Sequence, residues 1–161
     1  MNLLPYSIDP ALDLVLDRVL PVSPAKVWAA WTRPELLVQW FTPPPWRTVG
    51  CEIDLRPGGL FRTIMQPPEC EPVVNDGSYL EVVEGERLVF TDAMLPGFRP
   101  SGKPFMTAIL LIEPHEIGAH YVALVRHADP ATCTRHRDMG FFEGWGTATD
   151  QLVALFHPGA A

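Results

Sequence analysis

The sequence predicts an α+β domain in which a curved antiparallel sheet grips a long C-terminal helix, with two short helices after the first strand. Three observations predict it. Strand-like runs follow one another from Thr48 to His127, separated by turn chemistry rather than by helices. Apolar residues then recur at helical spacing up to Phe156. The length of 161 residues, with 47% hydrophobic and 19% charged, suits one folded domain with a sizeable core. Residues 1–161 are read as that single domain, with a core over about 12–157 and an N-terminal extension over 1–11.

Leu12 to Leu20 alternates apolar with polar residues and reads as a first strand, ended by Pro21. Ser23 is an N-cap with Pro24 at the first helical position, where a missing N–H costs nothing. The helix Ala25 to Thr32 carries Val27, Trp28, Ala30 and Trp31 on one stripe; Arg33-Pro34 breaks it. A second short helix spans Glu35 to Trp40 and stops before Pro43-Pro44-Pro45. The strands follow as Thr48–Leu55, Leu60–Met65, Gly77–Val83, Arg87–Ala93, Phe105–Glu113 and Ala119–His127. Pro57-Gly58-Gly59, Asn75-Asp76-Gly77, Glu84-Gly85, Pro96-Gly97 and Ile117-Gly118 read as the turns. Successive short strands with such turns imply an antiparallel meander. Leu95 to Pro104 is expected to be irregular, mobile and beside a cavity mouth, because its prolines and glycines deny it ladder hydrogen bonds.

One helix is expected from about Ala131, continuous from Arg135 to Phe156 and ended by Pro158-Gly159. Phe141, Trp145, Ala148, Leu152 and Leu155 form its stripe, with Phe142, Thr149 and Phe156 beside it. Gly140, Gly144 and Gly146 each cost such a helix about 1 kcal/mol relative to alanine, so they imply close packing or room for a ligand.

This order of elements resembles the helix-grip (START/Bet v-like) fold of the START-like (SRPBCC) superfamily. Four segments carry a closer resemblance: Val27 to Phe41, Asp54-Leu55-Arg56-Pro57-Gly58-Gly59, Glu86-Arg87-Leu88-Val89-Phe90-Thr91, and Met139 to Gly146. They are similar to the branch that contains the C-terminal domain of the activator of the heat shock protein 90 ATPase, often labelled with the polyketide cyclases. The resemblance implies the fold, and implies no catalytic residue.

The net charge of -7, with Lys26 and Lys103 the only lysines, argues against a nucleic-acid partner and against an anionic membrane surface. Met1 to Tyr6 shows no signal-peptide pattern and no apolar run spans a bilayer, so a cytoplasmic location is expected. Cys51, Cys70 and Cys133 form no CxxC pair and are expected to be reduced thiols. The five histidines show no metal-ligand spacing, so neither metal nor cofactor is expected. His136-Arg137-Asp138 imitates a kinase tripeptide, but Glu143 stands where asparagine is needed and no Gly-rich phosphate loop precedes it. Gly58-Gly59 likewise lacks a phosphate-loop context and reads as a turn or bulge. His127, near a strand end, and His136, early in the helix, could be brought together by the fold; backbone hydrogen bonding is the simpler account of each.

A long helix cannot fill the whole concave face of a sheet, so a void lined by apolar side chains is expected beneath it. Phe142, Trp145, Thr149, Leu152 and Phe156 are its expected helix residues, and Phe61, Tyr79, Phe90 and Tyr121 its strand candidates. Gly146 is expected to leave space beside Trp145. The first functional expectation is a binding protein for a small apolar or aromatic molecule. The second is an enzyme of cyclase, dehydratase or hydrolase type using the same cavity, with Glu143, Thr149, Tyr79 and Arg62 as polar candidates. Asp150 shares a helical face with Glu143, a spacing that also fits two solvated carboxylates. The third is a protein-interaction role resembling chaperone ATPase activation. The resemblance and the wealth of Trp and Phe also suggest a homodimer.

Overall fold

The structure is a computed structural model, and it describes residues 6–157. The alternating run at the start forms β1 (Asp13–Leu20). Ser23 caps α1 (Pro24–Thr32), its hydroxyl accepting from the Lys26 N–H at 3.4 Å. Pro34 then opens α2 (Pro34–Leu37), shorter than the span to Trp40 that the sequence suggests. Strands β2 (Arg47–Ile53), β3 (Leu60–Gln66), β4 (Val73–Val83) and β5 (Arg87–Thr91) follow. A small hairpin, β6 (Met94–Leu95) with β7 (Arg99–Pro100), precedes β8 (Thr107–Pro114) and β9 (Ala119–Arg126). Two helices, α3 (Pro130–Asp138) and α4 (Phe141–Phe156), complete the described chain.

Seven strands form one antiparallel sheet in the order β1-β9-β8-β5-β4-β3-β2. Register shifts between Thr48 and Gly50, and between Tyr79 and Glu81, mark bulges, which bend a sheet locally. Both faces of the central strands are buried, which is why alternation alone does not orient them. Leu88, Phe90, Ala108, Leu110, Tyr121 and Ala123 face the helices and the main core. Val89, Ile109, Leu111, Val122 and Leu124 form a second cluster on the other face, partly covered by Tyr6. Arg126 holds that N-terminal segment in place, donating to the Ser7 carbonyl at 3.1 Å with its guanidinium 5.9 Å from the Tyr6 ring centre.

Three sequence expectations are corrected. The helix expected to be continuous over Arg135 to Phe156 is broken at Met139-Gly140. Gly140 has φ +94°, a left-handed conformation in which any side chain is strained, so the backbone turns there and α4 starts afresh. Asn75-Asp76-Gly77 is not a turn but the middle of β4. Gly77 is needed there for close approach: a Cβ would stand 2.5 Å from the Thr91 carbonyl oxygen. Leu95 to Pro104 is not wholly irregular, since it holds the small β6–β7 hairpin. The Gly97 N–H donates to the Gly58 carbonyl at 2.9 Å, so the hairpin docks on the Gly58-Gly59 turn. The expected stop at Pro158-Gly159 and the reading of Met1 to Pro5 lie outside the described residues. Among the described residues no helix is long and apolar enough to cross a membrane.

Candidate functional site

The two halves of α4 do different work. Its C-terminal half packs: Leu152 is fully buried in the main core, and Phe156 lies under the Lys26 ammonium of α1, 5.6 Å from the ring centre. Its N-terminal half roofs a cavity of about 830 Å³, within the range of small-molecule sites. Polar clamps on both flanks hold the roof. Gln151 donates to the Trp40 and Thr42 carbonyls at 2.9 Å each, and Arg18 of β1 reaches the Gly146 carbonyl at 3.2 Å and Asp150 at 2.7 Å.

The cavity walls are mainly aromatic. Trp31 of α1 sits centrally, 4.9 Å from Trp40, 5.7 Å from Phe90 and 6.4 Å from Trp145 between ring centres. Phe61 crosses Phe90 edge-on at 4.8 Å and meets Phe41 at 6.2 Å. These edge and tilted contacts are the favoured aromatic geometries, so the walls are well fixed. The β6–β7 hairpin and the loop after it supply Leu95, Ser101, Lys103 and Phe105 to the rim. A second depression, on the outside of α3 between Pro130 and Met139, is shallow and open.

Most polar groups of the walls are already occupied. Asp92 accepts the Phe105 and Met106 N–H groups at 2.7 and 3.1 Å. Thr91 shares a hydrogen bond with Thr107 at 2.8 Å. Thr149 donates to the Trp145 carbonyl at 2.7 Å. Asp76 is gripped by Arg62 at 2.7 and 3.1 Å, and that guanidinium holds its carboxyl below the usual range. Tyr121 lines the cavity; burial pushes its hydroxyl pKa up, opposed slightly by the Trp31 indole N–H beside it. That N–H is itself buried and makes no aligned hydrogen bond among the described residues.

Of the residues singled out from the sequence, Phe61, Phe90, Tyr121, Trp145 and Thr149 line the cavity. Tyr79, Leu152, Phe142 and Phe156 do not. Tyr79 is sealed behind Phe61, stacked on it at 5.3 Å, with a hydroxyl that has no partner among the described residues and whose pKa burial raises. Phe142 is 44% exposed, because the break at Gly140 sets the phase of α4 so that Phe141 turns inward. Glu143 is exposed with it, and Arg62 is committed to Asp76 and Glu52. The four polar candidates therefore do not converge. Gly146 also lies outside the lining; Gly144 takes its place, with nothing within 4 Å of where a Cβ would stand. The sequence marked Gly144 only as one of three costly helix glycines and placed the open space at Gly146, because the helix phase depends on the break.

His136 also lines the cavity, although no ligand spacing marks it, and it meets His127 as the sequence allowed. It joins His127, Nδ1 to Nε2, at 2.9 Å, and His127 Nδ1 lies 2.8 Å from the Leu12 carbonyl. Burial first, and the neighbouring His127 second, push the His136 pKa down to about 4. Cys51, Cys70 and Cys133 are all free, and burial pushes the Cys51 thiol up to about 11. Among the described residues no group of three or more His, Cys, Asp or Glu is placed to hold a metal ion.

The model of the family described as activator of Hsp90 ATPase homolog 1-like protein matches residues 21–157. The chain belongs to this family. Among solved structures, a Nitrosomonas europaea protein is 45% identical, with 93% of this chain and 97% of that one covered at a TM-score of 0.90. A Chromobacterium violaceum protein is 26% identical, covers 89% of this chain and 96% of its own, and has a TM-score of 0.72. A Silicibacter pomeroyi protein of the same family name, 22% identical over 90% of this chain and 97% of its own, shows the shared fold at a TM-score of 0.68. No curated protein matches the chain. Membership of the activator of Hsp90 ATPase homolog 1-like family accords with the START-like fold seen here.

Proposed function

We propose that this family member is a cytoplasmic protein that holds a small apolar or aromatic molecule in the cavity beneath α4. One observation carries the reading: an aromatic-walled space of about 830 Å³ lies under a helix that presents Gly144 to it. One water occupies about 30 Å³ of liquid, so such a space holds many waters or a ligand. Releasing those waters from apolar walls favours an apolar occupant. An enzyme in the same cavity would need converging polar groups, and Glu143, Thr149, Tyr79 and Arg62 lie in four separate settings.

The test is binding of Nile red, a neutral dye whose emission reports apolar surroundings. Gly144→Leu places a side chain in the cavity where no atom stands within 4 Å, so the fold tolerates it. Leucine also favours a helix over glycine by up to ~1 kcal/mol. The expected result is a folded variant that binds the dye at least tenfold more weakly, beside a Gly146→Leu control that binds as the parent does. Equal dye binding by a folded Gly144→Leu protein would remove this reading.

A further inference from the structure

His127 and His136 form a chain of hydrogen bonds whose direction is set at one end. The Leu12 carbonyl can only accept, so His127 Nδ1, 2.8 Å away, carries the proton. In a neutral His127 the other nitrogen, Nε2, is then an acceptor. It lies 2.9 Å from His136 Nδ1, which must be the donor. His136 Nε2 is thereby left as a bare lone pair on the far side of the ring. The His136 side chain lines the cavity and is 8% exposed, and Nε2 has no hydrogen-bond partner among the described residues. Its ring is held at one orientation by Phe105 at 4.7 Å and Phe141 at 5.1 Å. Nε2 is not sealed away like the Tyr79 hydroxyl, so a fixed, unpartnered acceptor among apolar walls is placed where a ligand donor can reach it.

We propose that His136 Nε2 is the cavity's orienting hydrogen-bond acceptor, selecting a neutral, mainly aromatic ligand that carries one O–H or N–H donor. The inference rests on the binding reading above and adds the polar requirement. A carboxylate ligand is disfavoured, since it would bring a second acceptor against Nε2. The depressed basicity of His136 agrees: an imidazole with a pKa of about 4 is neutral at pH 7 and a weak base, suited to accepting a hydrogen bond rather than removing a proton.

Two probes of similar size test it by calorimetry, 2-naphthol with a donor and 2-fluoronaphthalene without. Each is titrated into the parent chain and into His136→Phe, which keeps a ring and loses the acceptor. The expected result is that the ratio of the two dissociation constants shifts by about tenfold between parent and variant, in the sense that the variant loses its advantage for 2-naphthol. Should His136→Phe fail to fold, ¹⁵N-resolved imidazole NMR of the parent decides. The proposal requires an unprotonated Nε2 on His136 whose resonance moves with 2-naphthol and stays with 2-fluoronaphthalene. If both probes bind and the ratio is the same in parent and variant, or Nε2 does not respond, this inference is overturned and the cavity reading stands. If neither probe nor Nile red binds, the cavity reading falls and takes this inference with it.

Discussion

At pH 7 the His136 ring is neutral, and that has a consequence for stability. Its folded pKa of about 4 lies below the ordinary 6.5, so on acidification the unfolded chain takes up the proton first. Folding stability is therefore whole above pH 6.5 and is lost progressively as pH falls toward 4. The loss attributable to this group approaches ~3 kcal/mol at the lower end. Burial of the ring is the main cause, with the neighbouring His127 second, and the Arg135 guanidinium stands 5.7 Å from the Phe105 ring that packs on His136. Urea midpoints at pH 7.5 and 4.5 check this: His136→Phe should show a clearly smaller acid loss than the parent, and parallel curves would refute the assignment. Gly77 makes a second prediction at this scale. Gly77→Ala drives a Cβ to within 2.5 Å of a backbone oxygen that cannot swing aside, and should cost about 1–3 kcal/mol in urea unfolding. The Asn-Asp-Gly triplet was legible as a turn by composition, but tight strand packing decides its conformation, and composition carries no record of that approach.

The elements divide in the same way. Strand runs, the Ser23 cap with Pro24, and most hairpin turns could be read directly, because each depends on neighbours in sequence. The helix break depended on one backbone angle. Gly140 at φ +94° should not accept a side chain, so Gly140→Ala is expected to destabilise the protein by about 1–2 kcal/mol, although alanine is the better helix former. A stabilised Gly140→Ala variant would mean that α3 and α4 can merge into the single helix the periodicity suggests. Between elements, Gln151 ties α4 to the segment after α2 through two carbonyls. Gln151→Ala leaves both without that donor, and a loss of about 1–2 kcal/mol in urea unfolding is the expected outcome. No spacing rule could have paired Gln151 with Trp40 and Thr42, since the contact joins residues more than a hundred positions apart.

At the scale of the whole molecule, the cavity comes from a mismatch of shape: α4 packs tightly at its C-terminal half and stands off the sheet at its other half. The homodimer suggested by the sequence is a proposal about solution behaviour; light scattering at micromolar concentration should give twice the chain mass, and a monomer mass would refute it. What the sequence by itself determined is local and periodic: the strand count of the main sheet, its antiparallel sense, the short helices and the presence of a C-terminal apolar stripe. These follow from propensity, turn residues and hydrophobic period, which act over a few residues. Which face of a doubly apolar strand looks inward, which glycine opens onto the void and where His136 lies against His127 were decided only in three dimensions. The reason is physical. Phe61 and Tyr79 are similar rings on the same side of the sheet, stacked on one another, and only their packing in three dimensions leaves one lining the cavity and the other sealed behind it.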